Sequence, residues 1–172
     1  MSSAPPRRLV VMRHSKAEQH GPTDFERPLA DRGHRDAAEA GAWLASIGVE
    51  PDHALVSAAL RTQETWASVS DGAGWTLEPD LDRGLYAAGP ETTIDLVRLV
   101  PEDATCVVVV GHNPTMAYLA QMLDDGTGDP DAVAAMATDF PTSAVAVFSY
   151  DGDWSSLGVA GARLDAFHVG RG

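Results

Sequence analysis

Residues 107–110 are four consecutive valines, preceded by Cys106 and followed by Gly111-His112-Asn113-Pro114. A strand with one wet face alternates apolar and polar residues. This run does not alternate, so both of its faces must be covered, as they are in a parallel sheet flanked by helices. Leu9-Val10-Val11-Met12 repeats the pattern, and His53–Ser57, Ala144–Tyr150 and Arg163–Val169 supply further strand candidates, with residues 75–78 a weaker one. Helical spacing lies between them. Ala40, Trp43, Leu44 and Ile47 share a face over 31–47, where Gly48 stops the helix. Ser57 is placed to cap a helix over about 58–70, Ile94, Val97 and Leu99 mark another over 92–100, and Met116, Leu119, Ala120 and Leu123 another. The last of these has Asn113 as its expected N-cap and Pro114 as its first helical residue. Strands alternating with helices predict an α/β fold with a largely parallel sheet. Residues 14–30 read as a long loop broken by Gly21-Pro22 and Pro28.

A chain of 172 residues fits one domain, here expected over 8–169, with 1–7 and 170–172 as flexible tails. Cys106 is the single cysteine, so an intrachain disulfide and a cysteine-based zinc site are both excluded. The N-terminal residues lack the apolar run of a secretory signal, and no stretch approaches the roughly 20 apolar residues that span a bilayer. These features favour a reducing cytoplasm. Twelve basic residues against 25 acidic ones leave a net charge of −13. Such a surface repels polyanions, so nucleic acid and anionic membrane are not expected partners. An anionic substrate would have to be captured by a local cluster of cations working against the global field.

In open parallel sheets, ligands bind beyond the carboxyl ends of the strands. Three polar groups follow strand candidates directly: Arg13-His14-Ser15, Ser57 to Arg61, and Gly111-His112-Asn113. A parallel sheet would crowd all three onto one edge. Two arginines and two histidines there suit phosphoryl chemistry. A guanidinium is permanently charged, and its planar fork matches two phosphate oxygens. Arg13 and Arg61 are therefore candidate phosphate ligands, His14 a candidate nucleophile attacking phosphorus, and His112 a donor to the same oxygens. The helix after Asn113 would add free N–H groups and its positive dipole end. Such a site calls for no metal and no cofactor.

These residues resemble a known family. Residues 9–15, LVVMRHS, resemble the strand-plus-RHG signature of the histidine phosphatase superfamily, with its phosphoglycerate mutase-like fold. Arg27-Pro28-Leu29 with Gly33 is similar to the family's RPL…G segment, 57–65 (SAALRTQET) to its S-x-x-x-R-x-x-Q-T segment, and 110–114 (VGHNP) to its second-histidine motif. Residues 140–146, FPTSAVA, resemble a late segment of the short bacterial branch, the SixA-type phosphohistidine phosphatases. The resemblance implies a three-layer α/β sandwich, with helices on both faces of a mainly parallel central sheet. It implies His14 as phosphoryl acceptor, Arg13 and Arg61 as phosphate ligands, and His112 as the second pocket histidine. Ser15, Asn113 and Arg27 are the expected substrate-binding residues beside them. The branch implies dephosphorylation of a phosphohistidine domain on a protein partner, by a chain taken to be a monomer.

Two departures bear on mechanism. Ser15 stands where the family has glycine. The stretch 83–89, RGLYAAG, carries no carboxylate where many members place an acidic proton donor. An alkoxide leaving group needs a general acid, whereas the imidazole of phosphohistidine leaves readily once protonated. The missing acid thus fits a P–N substrate. Glu18 is the nearest alternative donor in sequence, with Asp24 and Glu91 behind it. Two other readings stay open at this level: a phosphomonoesterase or mutase acting on a small phosphate ester, and a non-catalytic module that binds phosphorylated ligands.

Overall fold

The computed structural model describes residues 4–172. Six strands form one sheet in the order β3-β2-β4-β1-β5-β6. They are β1 (Arg7–Arg13), β2 (His53–Ser57), β3 (Asp80–Asp82), β4 (Cys106–Gly111), β5 (Ala144–Tyr150) and β6 (Arg163–Val169). The pairs β1–β4, β2–β4 and β2–β3 are parallel, while β5 runs antiparallel to both β1 and β6. The sheet is therefore mixed but mainly parallel, as expected.

The non-alternating runs have a direct cause. Val10, Met12, Val108 and Val110 pack under α1 (Asp31–Ser46) and α2 (Leu60–Ala73). Leu9, Val11, Val107 and Val109 pack on the other face, under α3 (Pro90–Arg98), α4 (Thr115–Leu123) and α5 (Pro130–Thr138). Every one of these eight strand residues has zero solvent exposure. Consecutive side chains point to opposite helical layers, so no position is left for a polar residue.

Several local expectations are corrected. Residues 75–78 are not a strand; the edge strand is the three-residue β3 that follows. α2 begins at Leu60, and Ser57 does not cap it: the N-cap is Ala59. α4 begins at Thr115, with Pro114 before the helix rather than in its first turn. α5 was not foreseen, although Asp129 caps it by accepting from the Ala132 amide and Pro130 opens it. Of the expected N-terminal tail, residues 1–3 lie outside the described residues, and Arg7 already belongs to β1. Residues 170–172 do not hang free. The Gly170 amide donates to Ser143 O (3.0 Å), and the Gly172 amide to the buried Asp36 carboxylate (2.9 Å).

Candidate active site

The parallel strands end together. Arg13, last in β1, pairs in register with Gly111, last in β4, while Val56 of β2 pairs with Val110. His14, His112 and the turn into α2 that carries Arg61 therefore leave the sheet at one edge, where the sequence put them.

His14 is 9% exposed, and its ring centroid lies 5.4 Å from that of His112. Its Nδ1 sits 2.7 Å from the carbonyl oxygen of Ser15. A carbonyl can only accept, so Nδ1 carries the hydrogen and Nε2 is left with its lone pair. Burial is the main force pushing the His14 pKa down to about 3, and the neighbouring His112, Arg61 and Arg13 add to it against the Ser15 hydrogen bond. The imidazole is neutral across the physiological range. His112 follows the same pattern: burial first, then Arg61, takes it down to about 4. Its Nε2 is 2.8 Å from Ser57 Oγ, while Nδ1 is buried with no hydrogen-bond partner in the protein.

The two guanidiniums are part-sequestered. Arg13 donates to Phe140 O (3.3 Å), and burial lowers its pKa. Arg61, 6% exposed, donates to the backbone oxygen of Asp24 (2.8 Å) and to its carboxylate (3.3 Å). The Nε of each arginine is buried and unpaired within the protein. Three orphaned polar atoms in one small region are unusual, since buried donors are otherwise almost always paired. An oxyanion is the chemical partner that would satisfy such a set.

Asp24, placed behind Glu18 on sequence, is the carboxylate that the structure brings to Arg61. The loop 14–30 folds back on itself through an Ala17–Leu29 bridge and a Glu18 N to Pro28 O bond (2.8 Å). It is pinned to α2 where Leu60 N donates to Phe25 O (2.9 Å) and Leu29 N to Glu64 Oε1 (2.8 Å). This brings Asp24 onto Arg61. Arg27 Nε (2.9 Å) and the Tyr86 hydroxyl also donate to its carboxylate. The Tyr86 bond is the largest influence holding Asp24 down at about 2, with Arg27 and Arg61 contributing. Glu18, the expected donor, is exposed, and only its backbone is bonded, accepting from Arg27. Tyr86 meets the ring of His112 edge-on at 5.6 Å and lies under the Arg61 guanidinium at 5.8 Å, a wall of the site.

The three residues expected to bind substrate are occupied structurally. Ser15 is fully buried, its amide donating to Thr65 Oγ1 (3.0 Å) and its hydroxyl paired with that of Ser143 (2.5 Å). Asn113 donates to Phe140 O (2.8 Å) and accepts from the Ala117 amide (3.2 Å). Arg27 ties Asp24 to the Glu18 carbonyl. At the α4 N-terminus the Met116 amide is used by His112 O, and that of Ala117 by Asn113.

Comparison with known proteins gives the same lineage. The family model of the histidine phosphatase superfamily (branch 1) matches residues 9–86. A solved structure named SixA, from Nakamurella multipartitia, superposes with a TM-score of 0.86 at 32% identity, covering 98% of this chain and 99% of that one. The chain belongs to the histidine phosphatase superfamily. It lies in the SixA-type branch. The phosphohistidine phosphatase SixA of Escherichia coli (strain K12) is 28% identical over 145 residues, 83% of this chain and 85% of that protein. An uncharacterised protein of Mycobacterium tuberculosis (strain ATCC 25618 / H37Rv) is 38% identical over 162 residues, covering 93% of this chain and all of that one. Membership in this superfamily and the SixA neighbours support a phosphatase enzyme. Among the described residues, no cluster of three or more His, Cys, Asp or Glu could hold a metal ion, and no helix is long and apolar enough to cross a membrane.

Proposed function

We propose that this chain is a metal-independent phosphatase that removes phosphate from phosphohistidine on a protein, through a phosphoryl group carried on His14. The observation that carries the reading is the state of His14. It is a neutral imidazole with Nδ1–H tied to Ser15 O, and so an unprotonated Nε2 beside two arginines. In the first step Nε2 attacks phosphorus, the substrate P–N bond breaks, and the leaving imidazole departs with the proton it already carries. In the second step water attacks, the His14–phosphorus bond breaks with its electron pair returning to Nε2, and phosphate leaves as dihydrogen phosphate carrying both protons of the water.

Arg13 and Arg61 would hold the equatorial oxygens, and their buried Nε atoms gain the partner they lack. Ser57 accepts from the Ala59 amide (3.4 Å), so its own hydrogen is available to His112 Nε2. His112 would then offer Nδ1–H to the same anion. Two cationic side chains supply the charge stabilisation that Mg²⁺ gives in kinases.

Asp24 favours a P–N substrate over an ester. A carboxyl group held at about 2 is ionised and is a poor proton donor to an alkoxide. As an acceptor at the mouth of the site, it suits the N–H on the ring nitrogen of the leaving imidazole that is not bonded to phosphorus. The test is hydrolysis of an aryl phosphate and of a phosphohistidine-bearing protein domain, both in EDTA. Both should turn over, and His14→Ala should lose at least about 10³-fold. A requirement for added metal, or a His14→Ala variant that keeps most of the rate, contradicts the mechanism. Preference for sugar or glycerate phosphates over phosphohistidine contradicts the substrate assignment. Phosphate binding without hydrolysis of either probe contradicts the enzyme reading.

A further inference from the structure

We infer that Ser143 is a positioning residue for His14, acting through a hydroxyl pair with Ser15 that sets which ring nitrogen of the nucleophile faces the phosphorus. The inference rests on the proposed role of His14 and extends it to a residue in the turn before β5, the strand that pairs with β1.

Ser143 lies in the turn entering β5, where Ala144 N donates to Pro141 O (3.0 Å). It has no solvent exposure and adopts φ = 66°, in the left-handed region that L side chains rarely occupy. Such a conformation persists where surrounding bonds over-determine it, and it clusters at functional sites. Those bonds are visible. The Ser143 amide donates to His14 O (3.2 Å), its hydroxyl meets Ser15 Oγ (2.5 Å), and its carbonyl accepts from Gly170 N (3.0 Å). The residues after β6 brace the same turn, since Arg171 donates to Thr142 O (3.0 Å) and reaches the buried Asp36 (3.4 Å).

Ser143 thus grips the chain on both sides of the His14 peptide carbonyl. Ser15 is held by its amide on Thr65 and by its hydroxyl on Ser143, which leaves its carbonyl direction fixed. That carbonyl is the acceptor for His14 Nδ1–H. A hydrogen bond on one ring nitrogen decides the state of the other, so a fixed Ser15 carbonyl keeps Nε2 bare and aimed. The serine that replaces the family's glycine at position 15 therefore has a partner in this chain, and the pair acts as a unit.

The test uses the full chain with Ser143→Ala, Ser15→Ala and the double variant. It reads the His14 tautomer by nitrogen-15 NMR, kcat and KM on an aryl phosphate, and the melting temperature. Ser143→Ala should lower kcat roughly ten- to a hundredfold, the cost of a misaimed reacting group, with KM within about twofold of the parent. The Nδ1–H tautomer of His14 should lose population. The double variant leaves no unpaired hydroxyl, so it should recover melting temperature without recovering kcat or the tautomer. Ser143→Gly, which accepts the left-handed backbone freely, should show the same kcat loss. An unchanged tautomer in every variant overturns the inference, as does a kcat that recovers together with stability in the double variant. Should the parent chain show no turnover, the phosphatase reading fails while the tautomer measurement still decides the positioning claim.

Discussion

At the scale of single residues, the site depends on keeping two histidines uncharged beside two guanidiniums. This has a sign in pH. The folded pKa values of about 3 for His14 and about 4 for His112 lie below the ordinary 6.5. The unfolded chain therefore binds more protons in the interval between these values. Stability is complete above pH 6.5 and is lost as pH falls toward the folded values. The melting temperature should drop between pH 6.5 and about 4, and His112→Gln should make the drop shallower; equal slopes in variant and parent would contradict this. Activity should follow the same groups. After correction for ionisation of the substrate, kcat/KM should stay level down to about pH 4, because the free enzyme's histidines set it. An acid limb near 6.5 would mean that the imidazoles titrate as in water. His14, Arg13, Arg61 and His112 were legible in sequence because each ends a strand, follows one, or opens the helix after it. Asp24 stands there only behind Glu18, and Ser143 only inside the 140–146 segment with no role, because a loop fold and an antiparallel return strand bring them in and neither leaves a spacing to read.

At the scale of elements, the two helices over the Val10/Val108 face are in backbone contact. A Cβ added to Gly41 of α1 would sit 2.0 Å from Val69 O of α2, and one added to Gly72 of α2 would sit 1.9 Å from Ala38 O of α1. Nothing flexible stands between the helices to yield. Gly41→Ala should destabilise the chain by about 1–3 kcal/mol through overpacking, despite alanine's better helix propensity. Chemical denaturation checks this, and a stabilised variant would show that the helices slide apart freely. The same closeness carries function, because α2 presents Arg61 from its first turn. The long strands were readable because burial on both faces removes every polar residue from them. β3 was not: its three residues lie at the sheet edge, two of them exposed, and carry no apolar run. α5 buries only Ala132 and Met136, too narrow a stripe to show as helical periodicity.

At the scale of the whole molecule, a chain of net charge −13 gathers Arg13 and Arg61 at the carboxyl edge of its parallel strands, the edge predicted from the sheet alone. The segment after β6 looked like a tail because glycine and arginine carry no core signal. Its bonds to Asp36 and Ser143 are tertiary and become visible only once the sheet closes. In the proposed reaction phosphorus passes covalently through His14. The most direct measurement is rapid acid-free quenching of the enzyme during turnover of a radiolabelled phosphohistidine protein, followed by peptide mapping. An acid-labile, base-stable label is expected on the peptide bearing His14 and absent from His14→Ala. Full turnover with no label on that peptide, or a label that survives acid, would contradict it.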